Sequence, residues 1–198
     1  MAYFCICTFG GSEDLISLYN RFEEQQIKDL RLDAFFEVIG DEQYKISKVG
    51  EKVYDCFVIR SAELYLNKAE AEAMLDKVEA VQTIKTLLNN RFEGGIPDVD
   101  GLSGKDLVSF IRDERRRELC FEAHRWFDLR RYAVSPKYPE KKSIRHTAYD
   151  IKGKLEGDYV LKPYGEDPAW VLPIPGYEIV YNQDNLVDNP QRVERELE

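Results

Sequence analysis

The sequence predicts a mostly α-helical protein built on tetratricopeptide-like helix pairs, with irregular loops and minor β structure. Three observations predict it. Apolar residues recur at helical spacing in residues 57–75 and again in residues 78–92, each stretch amphipathic on its own. A junction of only two or three residues between them makes the two helices antiparallel neighbours, a pair of about the size of one tetratricopeptide-type repeat. A third stretch, residues 110–132, reads FIRDERRRELCFEAHRWFDLRRY and alternates charges with large apolar side chains more tightly than any other part of the chain.

In chain order, residues 14–26 place Leu15, Leu18, Tyr19 and Phe22 at helical spacing behind Ser12 and Asp14 as caps, which predicts a short amphipathic helix. Residues 28–57 break into short apolar groups punctuated by Gly40 and Gly50, the pattern of extended pieces or a hairpin. In residues 57–75, Ala62, Tyr65, Leu66, Ala69, Ala73 and Met74 share one face, and the alanines permit close approach of a neighbour. Asp76 and Glu79 have capping-box spacing at the start of the next helix. Gly94, Gly95, Pro97 and Gly101 make a loop that leads to the charged stretch. Residues 133–169 change character to Pro, Lys, Gly and spaced tyrosines, a loop-rich insertion with a hairpin expected around Gly157 and Asp158.

Read as one helix, residues 110–132 put Ile111, Glu114, Glu118, Glu122, Arg125 and Leu129 on one stripe. Arg115 lies three before Glu118, and Arg125 three after Glu122, so the spacing predicts that these two arginines hold the two carboxylates, with Trp126 and Phe127 in the apolar wall. Paired carboxylates also invite a glycosidase reading, which needs two carboxyls of separated pKa facing one cleft. Each Glu here has an Arg close by, which would keep them all ionised and favours a structural clamp.

Composition sets further bounds. The chain is that of a globular protein, 43% hydrophobic and 33% charged, and its net charge of -9 argues against a nucleic-acid partner. Two His and four Cys are too few and too scattered for a zinc site, and no phosphate loop, dinucleotide fingerprint or hydrolase elbow occurs, so neither metal nor cofactor is expected. Cys56 and Cys120 read as small buried hydrophobes. Residues 1–8 are apolar without a basic start and too short for a signal peptide. Among the loop aromatics, Tyr138, Tyr149, Tyr159 and Tyr164 are the candidates for a sugar-stacking platform, weighed against the commoner role of tying loops to a helical body.

Several separate motifs resemble the C-terminal part of the SusD/RagB family, the surface glycan-binding lipoproteins of Bacteroidetes. Residues 59–66, IRSAELYL, with Ala69-Glu70-Ala71 resemble the family's R-x-A-E-x-Y-L helix. Glu114-Arg115-Arg116-Arg117-Glu118-Leu119, then Glu122, Arg125, Asp128, Leu129 and Arg131, resemble its E-R-x-x-E-L…E-G-x-R-x-x-D-L-x-R signature. Trp170 to Pro175, Glu178 and Asn189-Pro190 are similar to its terminal pattern, and Asp29 to Arg31 fits its D-x-R segment. Ala123 stands where the family has Gly, so the helix is expected to continue there, and Tyr181-Asn182-Gln183 lacks a first N-P.

The resemblance implies a non-catalytic protein that binds oligosaccharide or polysaccharide at the outward face of the outer membrane. There it would deliver nutrient to a SusC-like TonB-dependent transporter. It implies a single domain over residues 1–198, shortened relative to the family, whose lipid anchor is absent because Cys5 and Cys7 lack lipobox context. The ionic residues Arg60, Glu63, Glu114, Arg115, Glu118, Glu122, Arg125, Asp128 and Arg131 are assigned a structural role. Two rival readings are a helical-repeat protein-interaction module without glycan binding and a glycan-processing enzyme using the Glu ladder.

Overall fold

The structure is a computed structural model that describes residues 10–39, 43–48, 59–150, 154–183, 185–190 and 197. Gly40, Gly50, Cys5, Cys7 and Cys56, which entered the sequence argument, lie outside the described residues. The chain divides into two compact units, Met1–Arg125 and Trp126–Glu198.

The first unit is helical with small β additions. Helix α1 (Glu13–Asn20) buries Leu15, Ile16, Leu18 and Tyr19, the face expected from its spacing, and a 3-10 turn (Glu23–Gln25) follows. Ser12 caps α1 by position only, since its hydroxyl donates to Asp14 Oδ1 at 2.6 Å and makes no cap bond to the helix. Strand β1 (Lys28–Asp29) pairs with β4 (Phe92–Glu93), and a six-residue helix α2 (Leu30–Phe35) begins where Asp29 accepts from the Arg31 N–H. The expected hairpin is β2 (Phe36–Ile39) against β3 (Gln43–Ile46), antiparallel in the register Phe36↔Ile46 to Ile39↔Gln43. Leu15, Ile16, Leu18, Tyr19, Phe36 and Cys120 form one apolar cluster, with Leu32, Phe35, Tyr44 and Ile46 packed on it.

Helices α3 (Ser61–Met74) and α4 (Glu79–Leu88) form the predicted pair, and α3 also packs on α5 (Gly104–Glu118). The small side chains Ala62, Ala69 and Ala73 are buried together with Leu66, so the backbones approach closely, while Ala80, Ile84, Leu87 and Leu88 supply the opposing face. Tyr65 departs from the expected face and is 41% exposed; Glu70 is buried in its place, paired with Arg112 at 3.4 Å. The expected capping box does not form: residues 75–78 connect the helices, Asp76 takes a positive φ of 54°, and Val78 occupies the cap position without a side-chain bond. Gly94, at φ 83°, is required as glycine because a Cβ would lie 2.3 Å from the Gln26 carbonyl oxygen.

Residues 110–132 do not make one helix. Helix α5 ends at Glu118 and α6 (His124–Ala133) begins after five intervening residues, with Phe121 at φ 61° and Ala123 at φ 63° in the left-handed region. The break therefore occurs with alanine in the place of glycine, against the expectation that Ala123 would carry the helix through. Tertiary packing of α5 outweighs local propensity there, at the steric expense of a Cβ in left-handed backbone.

In the second unit, β5 (Ile144–Tyr149) pairs antiparallel with β6 (Leu155–Leu161). The last pair is Tyr149 with Leu155, so Gly157 and Asp158, where the reversal was expected, lie inside β6. A 3-10 turn (Pro168–Trp170) N-capped by Asp167 and a short helix α7 (Gly176–Tyr181) complete the chain. The tail turns back on the proline-rich segment: Asp188 Oδ1 accepts from the Ile174 N–H at 2.8 Å, and Asn189 Nδ2 donates to the Leu172 carbonyl at 2.7 Å. The asparagine of the terminal Asn-Pro thus closes the loop that the P-I-P segment opens. Among the described residues no helix is long and apolar enough to cross a membrane.

Candidate functional site

Two side-chain constellations stand out, one in each unit. The first is an ionic centre at the C-terminal end of α5. Arg31 donates through Nε and Nη2 to Asp29 at 2.9 and 2.7 Å, through Nη1 to Glu114 Oε1 at 2.5 Å, and through Nη1 to Glu118 Oε2 at 2.9 Å. Arg117 Nη2 meets Glu114 Oε2 at 2.6 Å and its Nη1 donates to the Leu18 carbonyl at 3.2 Å. The rings of Phe22 and Phe110 lie 5.6 and 5.8 Å from its guanidinium. Arg60 and Arg91 both grip the Glu118 carboxylate, at 3.0 Å and 2.7 Å, and Arg60 also reaches Glu122 at 2.8 Å. Lys48 completes the set, 2.5 Å from Glu122 and 4.2 Å over the Phe35 ring.

The carboxylates of Glu118 and Glu122 are thus held by Arg31, Arg60, Arg91 and Lys48, rather than by Arg115 and Arg125 as sequence spacing predicts. Arg115 goes instead to Asn67 Oδ1 at 2.7 Å, with Glu63 at 3.8 Å and His124 beside it. Arg125 contributes to the field at Asp14. In the second unit Asp128 pairs with Arg131 at 2.9 Å, and Phe127, expected in the apolar wall, is 64% exposed.

The same cations also finish the helix. The Arg117, Glu118 and Cys120 carbonyls would be left without helical partners; Tyr19 donates to the first at 2.7 Å, Arg60 and Lys48 to the second at 2.9 and 2.6 Å, and Lys48 to the third at 3.1 Å. Burial opposes ionisation of Glu118, but hydrogen bonds from Arg91 and Arg31 and their charges overcome it and hold its carboxyl down to about 2. Burial likewise opposes ionisation of Glu114, and Arg31 and Arg117 bring it below the usual carboxylate range. Burial first, then the neighbouring Cys120, keeps the Tyr19 phenol protonated. The Cys120 thiol is pushed up by burial, so it is the buried small hydrophobe that the sequence predicts. With Glu114 wholly buried and Glu118 at 1% exposure, these groups clamp elements together and present no carboxyl to a substrate.

The second constellation is aromatic. Trp126 stacks on Trp170 with centroids 4.5 Å apart, and Tyr164 meets Trp170 edge-on at 5.9 Å. Trp170 is 1% exposed, its indole N–H donating to the Lys162 carbonyl at 2.7 Å. Arg130 lies 5.3 Å from the Tyr164 ring centroid. Beside this cluster is a depression of about 380 Å³ lined by Tyr164, Gly165, Glu166, Asp167, Pro168, Trp170 and Val171. Gly165 turns the chain here at φ 90°, and a Cβ would meet nothing within 4 Å.

Of the tyrosines singled out from sequence, Tyr164 alone lines this depression. Tyr159 is 38% exposed on β6 opposite His146, and Tyr138 is half-buried with the Lys137 ammonium 5.2 Å from its ring. The Tyr149 side chain lies outside the described residues. Sequence spacing did not bring Trp126 and Trp170 together, since they are far apart in the chain and nothing local to either marks the other.

The SusD family model matches residues 31–191, most of the chain. The chain belongs to the SusD family. Two curated SusD-like relatives, both from Formosa agariphila, are similar in sequence. SusD-like protein P38 is 34% identical over 113 residues, covering 52% of this chain and 21% of P38. SusD-like protein P2 is 28% identical over 147 residues, covering 67% of this chain and 25% of P2. This chain therefore matches about a fifth to a quarter of the length of these SusD relatives. A solved SusD-like carbohydrate binding protein from Bacteroides vulgatus, 18% identical, superimposes with a TM-score of 0.56 over 89% of this chain and 41% of its own, which bears out the mostly helical SusD fold. The Arg60, Glu114, Glu118 and Glu122 side chains that carry the family signature are the ones that meet in the ionic centre.

Proposed function

We propose that this SusD-family chain serves glycan capture at the outward face of a bacterial outer membrane, without catalysis, and passes oligosaccharide to a SusC-like TonB-dependent transporter. The observation that carries the reading is the family match over residues 31–191. The solved neighbour described as a carbohydrate binding protein is in keeping with it. The non-catalytic part is supported by the ionic centre, where the Glu ladder that a glycosidase would use is buried against arginines. The Tyr164 depression is the place we assign to saccharide, because it joins an aromatic wall to polar groups at the surface.

A second reading, a protein-contact surface on the helix pair, is favoured by one observation: Leu64, Leu75 and Val78 are 60%, 68% and 84% exposed. Calorimetry of the chain against a panel of neutral, uronate and sulfated polysaccharides tests the first reading. Saturable binding to one of them is expected, and binding to none overturns it in favour of the second.

A further inference from the structure

We infer that the saccharide taken at the Tyr164 depression is uncharged, a neutral glycan rather than one bearing uronate or sulfate. The inference rests on the glycan-binding reading and adds the chemical class of ligand. The walls are Tyr164, Pro168, Trp170 and Val171, and among the described residues the charged side chains in the lining are Glu166 and Asp167. An ionised carboxylate is an acceptor only, so these groups accept from sugar hydroxyls and offer nothing to an anion.

Two cations beside the depression are already engaged. Lys141 lies 3.5 Å from Glu166, and Arg130 is turned to the Tyr164 ring. Asp167 accepts from the Lys162 and Ala169 N–H groups at 3.3 and 2.9 Å, which fixes its carboxylate at the rim of the depression. Glu166, with a side chain 52% exposed, is the more accessible of the two. An anionic sugar placed against Tyr164 would bring its charge against both carboxylates, with the Lys141 ammonium already shared with Glu166 and no guanidinium or ammonium among the described lining residues. The apolar face of a neutral pyranose ring meets no such opposition and packs on the Tyr164 ring, which the buried Trp170 backs.

The test uses matched polymers and the whole chain. Polygalacturonate is compared with its fully methyl-esterified form, a sulfated galactan with its desulfated form, and both pairs with uncharged glucans and mannans, all by calorimetry at low and moderate salt. Binding confined to the uncharged polymers is expected, weakened about tenfold or more by Tyr164→Ala. Glu166→Lys, a change at an exposed side chain, should weaken neutral binding and admit a charged polymer; circular dichroism of both variants shows that they remain folded. Should Tyr164→Ala fail to fold, Tyr164→Leu, which removes the aromatic face and keeps bulk, takes its place. Binding to an anionic polymer in preference to its uncharged form overturns the inference while leaving glycan binding standing. Neutral binding that neither Tyr164 variant nor Glu166→Lys alters also overturns it. Binding to nothing overturns the glycan reading itself, and this inference with it.

Discussion

The first unit inverts part of the usual distribution of side chains, and the second keeps to it. In the first, charges share the interior with the apolar cluster: Asp29, Arg31, Glu114, Arg117 and Glu118 are each no more than 3% exposed, while apolar side chains such as Leu64 and Val78 are outside. In the second, the wholly buried large side chains among the described residues are the aromatic Trp170 and Tyr132, and the charged residues of the Tyr164 depression lie at its rim. The difference teaches that the ion-paired motif and the surface we propose for saccharide are separate things. The signature is chemically loud because buried ions must all be matched at once, and a lost partner leaves a stranded charge. The depression is quiet because a ring and two carboxylates at a surface impose few constraints on the rest of the chain.

The contrast breaks most directly at Arg31. Arg31→Ala removes the cation that Asp29, Glu114 and Glu118 share in the interior and should cost about 3 to 5 kcal/mol, read as a lowered urea midpoint. A midpoint close to wild type would mean that water reaches this centre and that the inversion between the units is only apparent. Trp170→Ala tests the other side. It removes the largest fully buried side chain among the described residues and should cost about 3 to 4 kcal/mol, read as a lowered urea midpoint followed by far-ultraviolet circular dichroism.

Acid separates the units next. Glu118 ionises more readily folded than unfolded, so the stability it contributes is complete above its unfolded value of 4.5 and is lost as pH falls from there towards about 2. Urea midpoints measured downward from pH 5 should therefore fall through this window. Glu118→Gln, already weaker at pH 5, should show a shallower fall, and equal slopes for the two proteins would remove Glu118 from the account. The smallest effect is expected at Ala123. Because it holds a left-handed backbone, Ala123→Gly should raise stability by about 1 kcal/mol, checked by thermal melting.

Much of this protein is legible in its residues alone. Helical spacing locates α1, α3, α4 and α5, alanines mark the close face of α3, and the E-R-x-x-E-L segment declares that ions will be paired and not solvated. Spacing also suggests who pairs with whom, and there it misleads. It reads only interactions three or four residues apart, whereas the cations on Glu118 come from positions 27, 58 and 87 residues away. Those distances close only when α2, the start of α3 and the end of α4 converge on the end of α5.

The same limit explains the break after Glu118. Ala123 by itself favours continuation, but the last carbonyls of α5 are satisfied by Tyr19, Arg60 and Lys48, and those side chains arrive through tertiary structure. Trp126 and Trp170 likewise meet only because the second unit folds back on itself. The sequence alone thus determined that this chain would be helical, ion-rich and of the SusD type. The tertiary structure decided which ions clasp each other and where an aromatic wall is left open, because electrostatic and packing partners are chosen by distance in space and not along the chain.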